Sequence, residues 1–161
     1  MADTRSKTIL LLGDAIYKEA KSTAATILPG HLIQKVAAGT VQKHGTAAGN
    51  AQRMFAVEDE GQGKTISDLY VNSTLIKYVI PVRGAEINAV LANGQNVAIG
   101  DPLESNGDGT LRKHVADIDD NDSVDITTIY TECIVGYAMN AVDMSGSNLV
   151  DPDGRVRVEI A

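Results

Sequence analysis

The stretch "ILPGHLIQKVAAGTVQKH" (residues 27–44) can be laid without a gap over "VAIGDPLESNGDGTLRKH" (residues 97–114). Gly30, Gly39, Thr40, Lys43 and His44 then fall on Gly100, Gly109, Thr110, Lys113 and His114, five identities where ordinary residue usage would give about one. Ile27/Val97, Ile33/Leu103, Gln34/Glu104 and Val41/Leu111 are conservative pairs. Each copy reads as a strand entered through a glycine, a hairpin in which Gly39 or Gly109 takes a positive φ, and a return strand ending in Lys-His. The turn "SNGDGT" adds Asn-Gly and Asp-Gly, both suited to left-handed backbone. Further on, "RMFAVED" (residues 53–59) answers "IVGYAMN" (residues 134–140), pairing Phe55 with Tyr137 and Ala56 with Ala138. One half continues into "YVIPV" and the other into "RVRVEI". The spacing predicts a duplicated chain.

Working outward, the apolar runs are short, rich in Val and Ile, and interrupted by Gly, Asn, Asp and Pro, which is strand-and-turn punctuation. Strands are expected at residues 27–36, 40–44, 53–58, 74–82, 86–91, 101–105, 110–115, 127–139 and 155–160, with short helical turns only near 14–21 and 65–70. The fold class is therefore all-β: a small barrel or β-clip-like domain of two hairpin-containing units. An extended N-terminal arm (1–20) precedes a single β domain (21–161), with half-repeats at about 27–91 and 97–161 and an acidic loop at 115–126. The halves are expected to share a core of Ile27, Leu32, Val41, Phe55, Leu103, Leu111, Ile134 and Tyr137. The β-prone run Thr8, Ile9, Leu10, Leu11 and Leu12 lies outside the repeats and is the candidate partner-binding strand, pairing with a neighbouring subunit or surface.

Composition narrows the chemistry. With 21 acidic against 14 basic residues, a net charge of -7, 4% aromatics and no Trp, neither a phosphate-tracking groove nor a base-stacking platform is expected, so nucleic acid is not a predicted partner. The apolar run at residues 9–12 is too short for a signal core or a membrane span. "EDEGQGKT" (58–65) ends like a phosphate-binding loop but has Glu58 where that motif needs glycine. "HVADIDDNDSVD" (114–125) is acidic enough to suggest calcium, yet its spacing fails the EF-hand template. "NGQNVAIGDPLES" (93–105) resembles the turn of biotinyl and lipoyl carriers, but its hairpin carries no lysine to modify. No nucleophile elbow occurs, and Cys133 sits in an apolar strand pattern, where a buried, inert thiol is expected. The repeated His44 and His114 are expected at exposed strand ends. A metal-dependent activity at His31, His44 and His114 is the enzymatic alternative, and a β-barrel module for carbohydrate or a host surface is the binding alternative. No cofactor is predicted.

Taken in order, the segment from Gly13 to Tyr70, with its "PGHL…GTV…FAVED" succession, then "LANGQNVAIGDPLESNGDGTLRKH" and "IVGYAMNAVD", resembles the capsid cement, or head decoration, proteins of tailed bacteriophages. The resemblance implies a small, β-rich, non-enzymatic protein bound to the outer face of an assembled virion head. Its implied partners are the major capsid protein and copies of itself, as a homotrimer, after synthesis in the host cytoplasm. No membrane partner is implied.

Overall fold

Residues 6–23, 26–119, 126–128, 131–146 and 154–161 are described by the computed structural model of the chain. Among them the fold is all-β, with 3-10 turns at Glu60–Gln62 and Thr131–Cys133. The strands are β1 (Leu10–Leu12), β2 (Ala15–Ser22), β3 (Ile33–Ala37), β4 (Thr40–Lys43), β5 (Phe55–Ala56), β6 (Leu75–Pro81), β7 (Glu86–Val90) and β8 (Asn96–Val97). They continue as β9 (Pro102–Ser105), β10 (Leu111–Lys113), β11 (Asp117–Asp119), β12 (Ile126–Thr128), β13 (Ile134–Ala138), β14 (Val142–Asp143) and β15 (Arg155–Ile160). A five-stranded sheet has the order β3-β4-β2-β6-β5, and a six-stranded sheet the order β1-β7-β15-β13-β9-β10; β8-β14 and β11-β12 are two-stranded.

The two stretches aligned in sequence make the same hydrogen bonds. Ile33 pairs with Lys43 and Gln34 with Gln42 in the first hairpin; Leu103 pairs with Lys113 and Glu104 with Arg112 in the second. The His44 amide donates to Leu32 O as the His114 amide donates to Pro102 O. Gly30 donates to Ala56 O as Gly100 does to Ala138 O, and Ala56 to His31 O as Ala138 does to Asp101 O. All four glycines at the strand entries and hairpin tips, Gly30, Gly39, Gly100 and Gly109, have positive φ, which explains why glycine stands at both copies of each. Beyond the hairpins, the ladder of β2 on β6 matches that of β7 on β15. Lys21↔Leu75 answers Val90↔Arg155, and Tyr17↔Val79 answers Glu86↔Glu159.

Two features differ from expectation. The first is closure: one shared barrel was expected, whereas each half has its own cyclic strand order and no barrel closes. In the first half the ends of the sheet, β3 and β5, meet at the single bridge Leu32↔Phe55; in the second, β7 and β10 meet at Leu91↔Leu111. Each seam is a ladder in the other half, β13 on β9 and β2 on β4. The core does not follow that division: one cluster spans both halves, as expected, and a second lies within the first half. Leu32, Phe55, Leu103 and Leu111 join one cluster with Ile9, Val79 and Val158, while Ile27 and Val41 join a second with Met54, Tyr70 and Tyr78. Ile134 is buried outside both clusters, and Tyr137 is half exposed.

The second concerns the amino-terminal residues. The segment read as an arm with a helical turn over 14–21 is instead β2, paired residue for residue with β6 from Ala15↔Pro81 to Lys21↔Leu75. Burial on β2 alternates only at Ala20 and Ser22, so no strand period reaches the sequence over 16–19. Leu10 and Leu12 pair with Ile87 and Glu86 of β7 in the same chain, and Ile9 is fully buried. Near 65–70 there is a turn rather than a helix, with Tyr70 bridging Ile27. The acidic segment is framed by β11 and β12; residues 120–125 lie outside the described residues.

Candidate functional site

The three histidines were the sharpest chemical candidates, and the structure gives each a separate structural task. His44 is buried, not at an exposed strand end. Its Nε2–H donates to Asn50 O (3.2 Å), which leaves Nδ1 to accept from the Ser105 hydroxyl at 2.7 Å. Ser105 Oγ also accepts from the Gly107 amide (3.1 Å). A Ser–His pair invites a catalytic reading, but Ser105 has no exposed surface and the imidazole's other nitrogen meets a carbonyl rather than a carboxylate. The pair ties the end of β4 to the end of β9, with Leu32 N–H to Gly109 O (2.8 Å) and Ala48 N–H to Ser105 O (2.9 Å) on either side.

His114 occupies the equivalent place and is also buried along its side chain. Its Nδ1 lies 2.6 Å from Glu104 Oε2, while Arg112 Nε donates to Glu104 Oε1 at 2.8 Å. Glu104 is 1% exposed, so a carboxylate inside the domain is held by a guanidinium and an imidazole. In the first half the same positions carry the uncharged Gln34, Gln42 and the Ser-bonded His44.

His31 accepts the Leu28 amide on Nδ1 (3.1 Å), as Asp101 accepts the Ala98 amide on Oδ2 (2.8 Å) at the equivalent turn. Burial, with Lys43 and Arg155 nearby and only Asp108 opposing them, lowers the His31 pKa to about 4. A base whose folded pKa is depressed binds its proton in the unfolded chain first. Stability therefore falls as pH drops from the unfolded value near 6.5 to about 4, by about 3 kcal/mol in all. We expect urea unfolding at pH 7, 5.5 and 4 to show this loss, and His31→Asn, which keeps an acceptor for Leu28, to remove most of it.

His31, His44 and His114 are thus not brought together. Among the described residues, no three His, Cys, Asp or Glu side chains stand close enough to hold a metal ion. Cys133 is buried and its thiol pKa is raised by that burial, as an inert core thiol requires. No helix among the described residues is long and apolar enough to cross a membrane.

What remains for function is surface. Of the five residues proposed as a binding strand, Ile9 is inside, Leu10 and Leu11 are half-buried, and Thr8 and Leu12 are exposed. Beside them β2 presents Ile16 and Tyr17, 58% and 63% exposed, which the sequence reading had placed in an arm. An open groove runs along this face, lined by Thr8, Leu10, Tyr17, Glu19, Glu58 and Glu60. Its rim is fixed by Glu58, which accepts the Ile9 amide (3.1 Å), and by the Lys77–Asp59 ion pair at 2.8 Å, which holds the Asp59 carboxyl below its usual range. No signal in the sequence marked Ile16 and Tyr17, because "AIYKEAKS" shares almost nothing with the "EINAV" strand it matches in structure.

No protein-family model matches the chain, and no curated protein sequence is similar to it. Among solved structures it is similar to the head fiber gp8.5 N base of bacteriophage phi29, with a TM-score of 0.54 at 10% identity. The match covers 92% of this chain and 95% of that one. At that identity the likeness is one of fold, spanning both halves.

Proposed function

We propose that this chain is a structural protein of a tailed-phage head, bound to the outer face of the assembled shell as a cement protein that bridges capsid subunits, with no bond made or broken. The observation that carries the reading is the whole-chain likeness to a head fiber base, which joins the cement-like order of motifs in the sequence. Its partners on this reading are the major capsid protein and two further copies of the chain. Cementing needs only modest contacts, because a trimer's second and third arms bind at high local concentration and raise avidity by about 10² to 10⁴. Exposed apolar side chains, Leu12 on β1 and Ile16 and Tyr17 on β2, supply such modest contacts on this reading. The excess of acid tunes the encounter more than the final affinity.

Heads with and without the protein, heated while packaged DNA is followed with an intercalating dye, provide the test. We expect DNA release to shift upward by several degrees when the protein is bound. Equal release temperatures on heads that demonstrably carry the protein would remove the stabilising role.

A further inference from the structure

The two halves share strand order and register but differ at one edge. In the second half, β7 has β15 on one side and β1 on the other. Leu10 pairs with Ile87, Leu12 with Glu86, and the Asn88 amide donates to Ile9 O at 2.7 Å. The equivalent strand of the first half is β2, with Lys18 in the place of Ile87 and Glu19 in the place of Asn88. β2 pairs along its length with β6, but on its other side only Lys21 and Ser22 have a strand partner, in β4. Over residues 15–19 no strand among the described residues pairs with that side.

The backbone direction is fixed by what lies just beyond. The Lys21 and Thr23 amides donate to Gly39 O and Val41 O across the β4 side, so, at a period of two, the Tyr17 and Glu19 amides point the same way into the vacant edge. Burial tells the same story. Ile87, Asn88 and Ala89 are buried beneath β1, whereas Ile16, Tyr17, Lys18 and Glu19 are four exposed residues in succession. An apolar pair on an open edge, here beside Lys18 and Glu19, is what strand addition uses.

The segment seated on β7 shows what fits such an edge. The segment "KTILLL" (7–12) is led by a lysine, apolar from Ile9 on, and extended as β1 over Leu10–Leu12. The edge itself carries one charge of each sign, Lys18 and Glu19, while Glu58 and Lys77 of the groove lie on the β6 and β5 side of β2, away from it. We propose that the β2 edge over residues 15–19 accepts an extended, apolar segment of a partner protein as an added strand, in the place that β1 takes on β7. The proposal concerns the isolated chain and does not depend on what shell, if any, supplies the segment.

The test uses the full chain and a synthetic peptide, KTILLLKK, with residue-resolved amide hydrogen exchange by NMR. Bound peptide should slow exchange of the Tyr17 and Glu19 amides at least tenfold. A peptide N-methylated on its pairing edge should not slow them. Glu19→Pro, which removes an amide that serves no ladder within the chain, should abolish the protection while leaving the remaining sheet amides unchanged. Three results would overturn the proposal: unchanged exchange at millimolar KTILLLKK, equal protection by the N-methylated peptide, or protection that grows with protein concentration alone. The last would give the edge to a second copy. Binding to heads is read separately by sedimentation, so either reading can fail without the other.

Discussion

Gly136→Ala is expected to destabilise the domain by more than about 3 kcal/mol, lowering the urea midpoint without a change in slope. Gly136 lies in β13, opposite Ile160 of β15, and its φ is not positive, so no left-handed backbone adds to the cost. A Cβ there would run into the Glu159 carbonyl oxygen and stand 2.6 Å from Val158 Cγ1. The first obstacle is backbone inside a ladder and cannot step aside. The equivalent position of the first half is the buried Met54, so the strand order alone does not demand glycine; the close approach of β13 to β15 does. Gly146→Ala is the control: nothing lies within 4 Å of its added methyl, and a change within about 0.5 kcal/mol is expected.

Glu104→Gln is expected to cost about 3 kcal/mol, because it leaves Arg112 and the buried His114 facing an amide where a carboxylate had served both. The first half supplies the compensating change. There Gln34 faces Gln42, the partners equivalent to Glu104 and Arg112, in the same register. The double variant Glu104→Gln/Arg112→Gln should therefore recover at least half of the loss, since the uncompensated cation goes with the anion. An additive double-mutant cycle would show that the two side chains are not a unit.

How much of this was legible depends on where each residue's partner lies. The hairpins could be read because their register is written locally: Gly39 and Gly109 mark the tips, and Lys43 and Lys113 fall opposite Ile33 and Leu103 as the alignment required. Phe55 and Tyr137 also fell on matching partners, Leu32 and Pro102, despite a different intervening length. β2 could not be read, because four exposed residues in a row erase the alternation that signals a half-buried strand. Its equivalence to β7 rests on ladders to β6 and β15, more than fifty residues away in each case. The histidines were placed at the correct strand ends and given the wrong exposure. Only Ser105, bonded to His44 across 61 residues, is distant in sequence; Asn50 for His44 and the Glu104–Arg112 pair for His114 lie nearby, and it is the turn and hairpin geometry, not separation, that turns them onto the imidazoles. For the candidate surface, the apolar run at 9–12 was visible, but that Ile9 belongs to the core and that the open edge is β2 depended on which half β1 joins.

The central claim, that this chain binds an assembled head from outside, is tested most directly by adding the purified protein to mature heads that lack it and sedimenting the mixture. The account predicts that the protein travels with the heads to a fixed, saturable stoichiometry and is stripped by a protease that leaves the shell intact. Protein left wholly at the top of the gradient at saturating concentrations would contradict it.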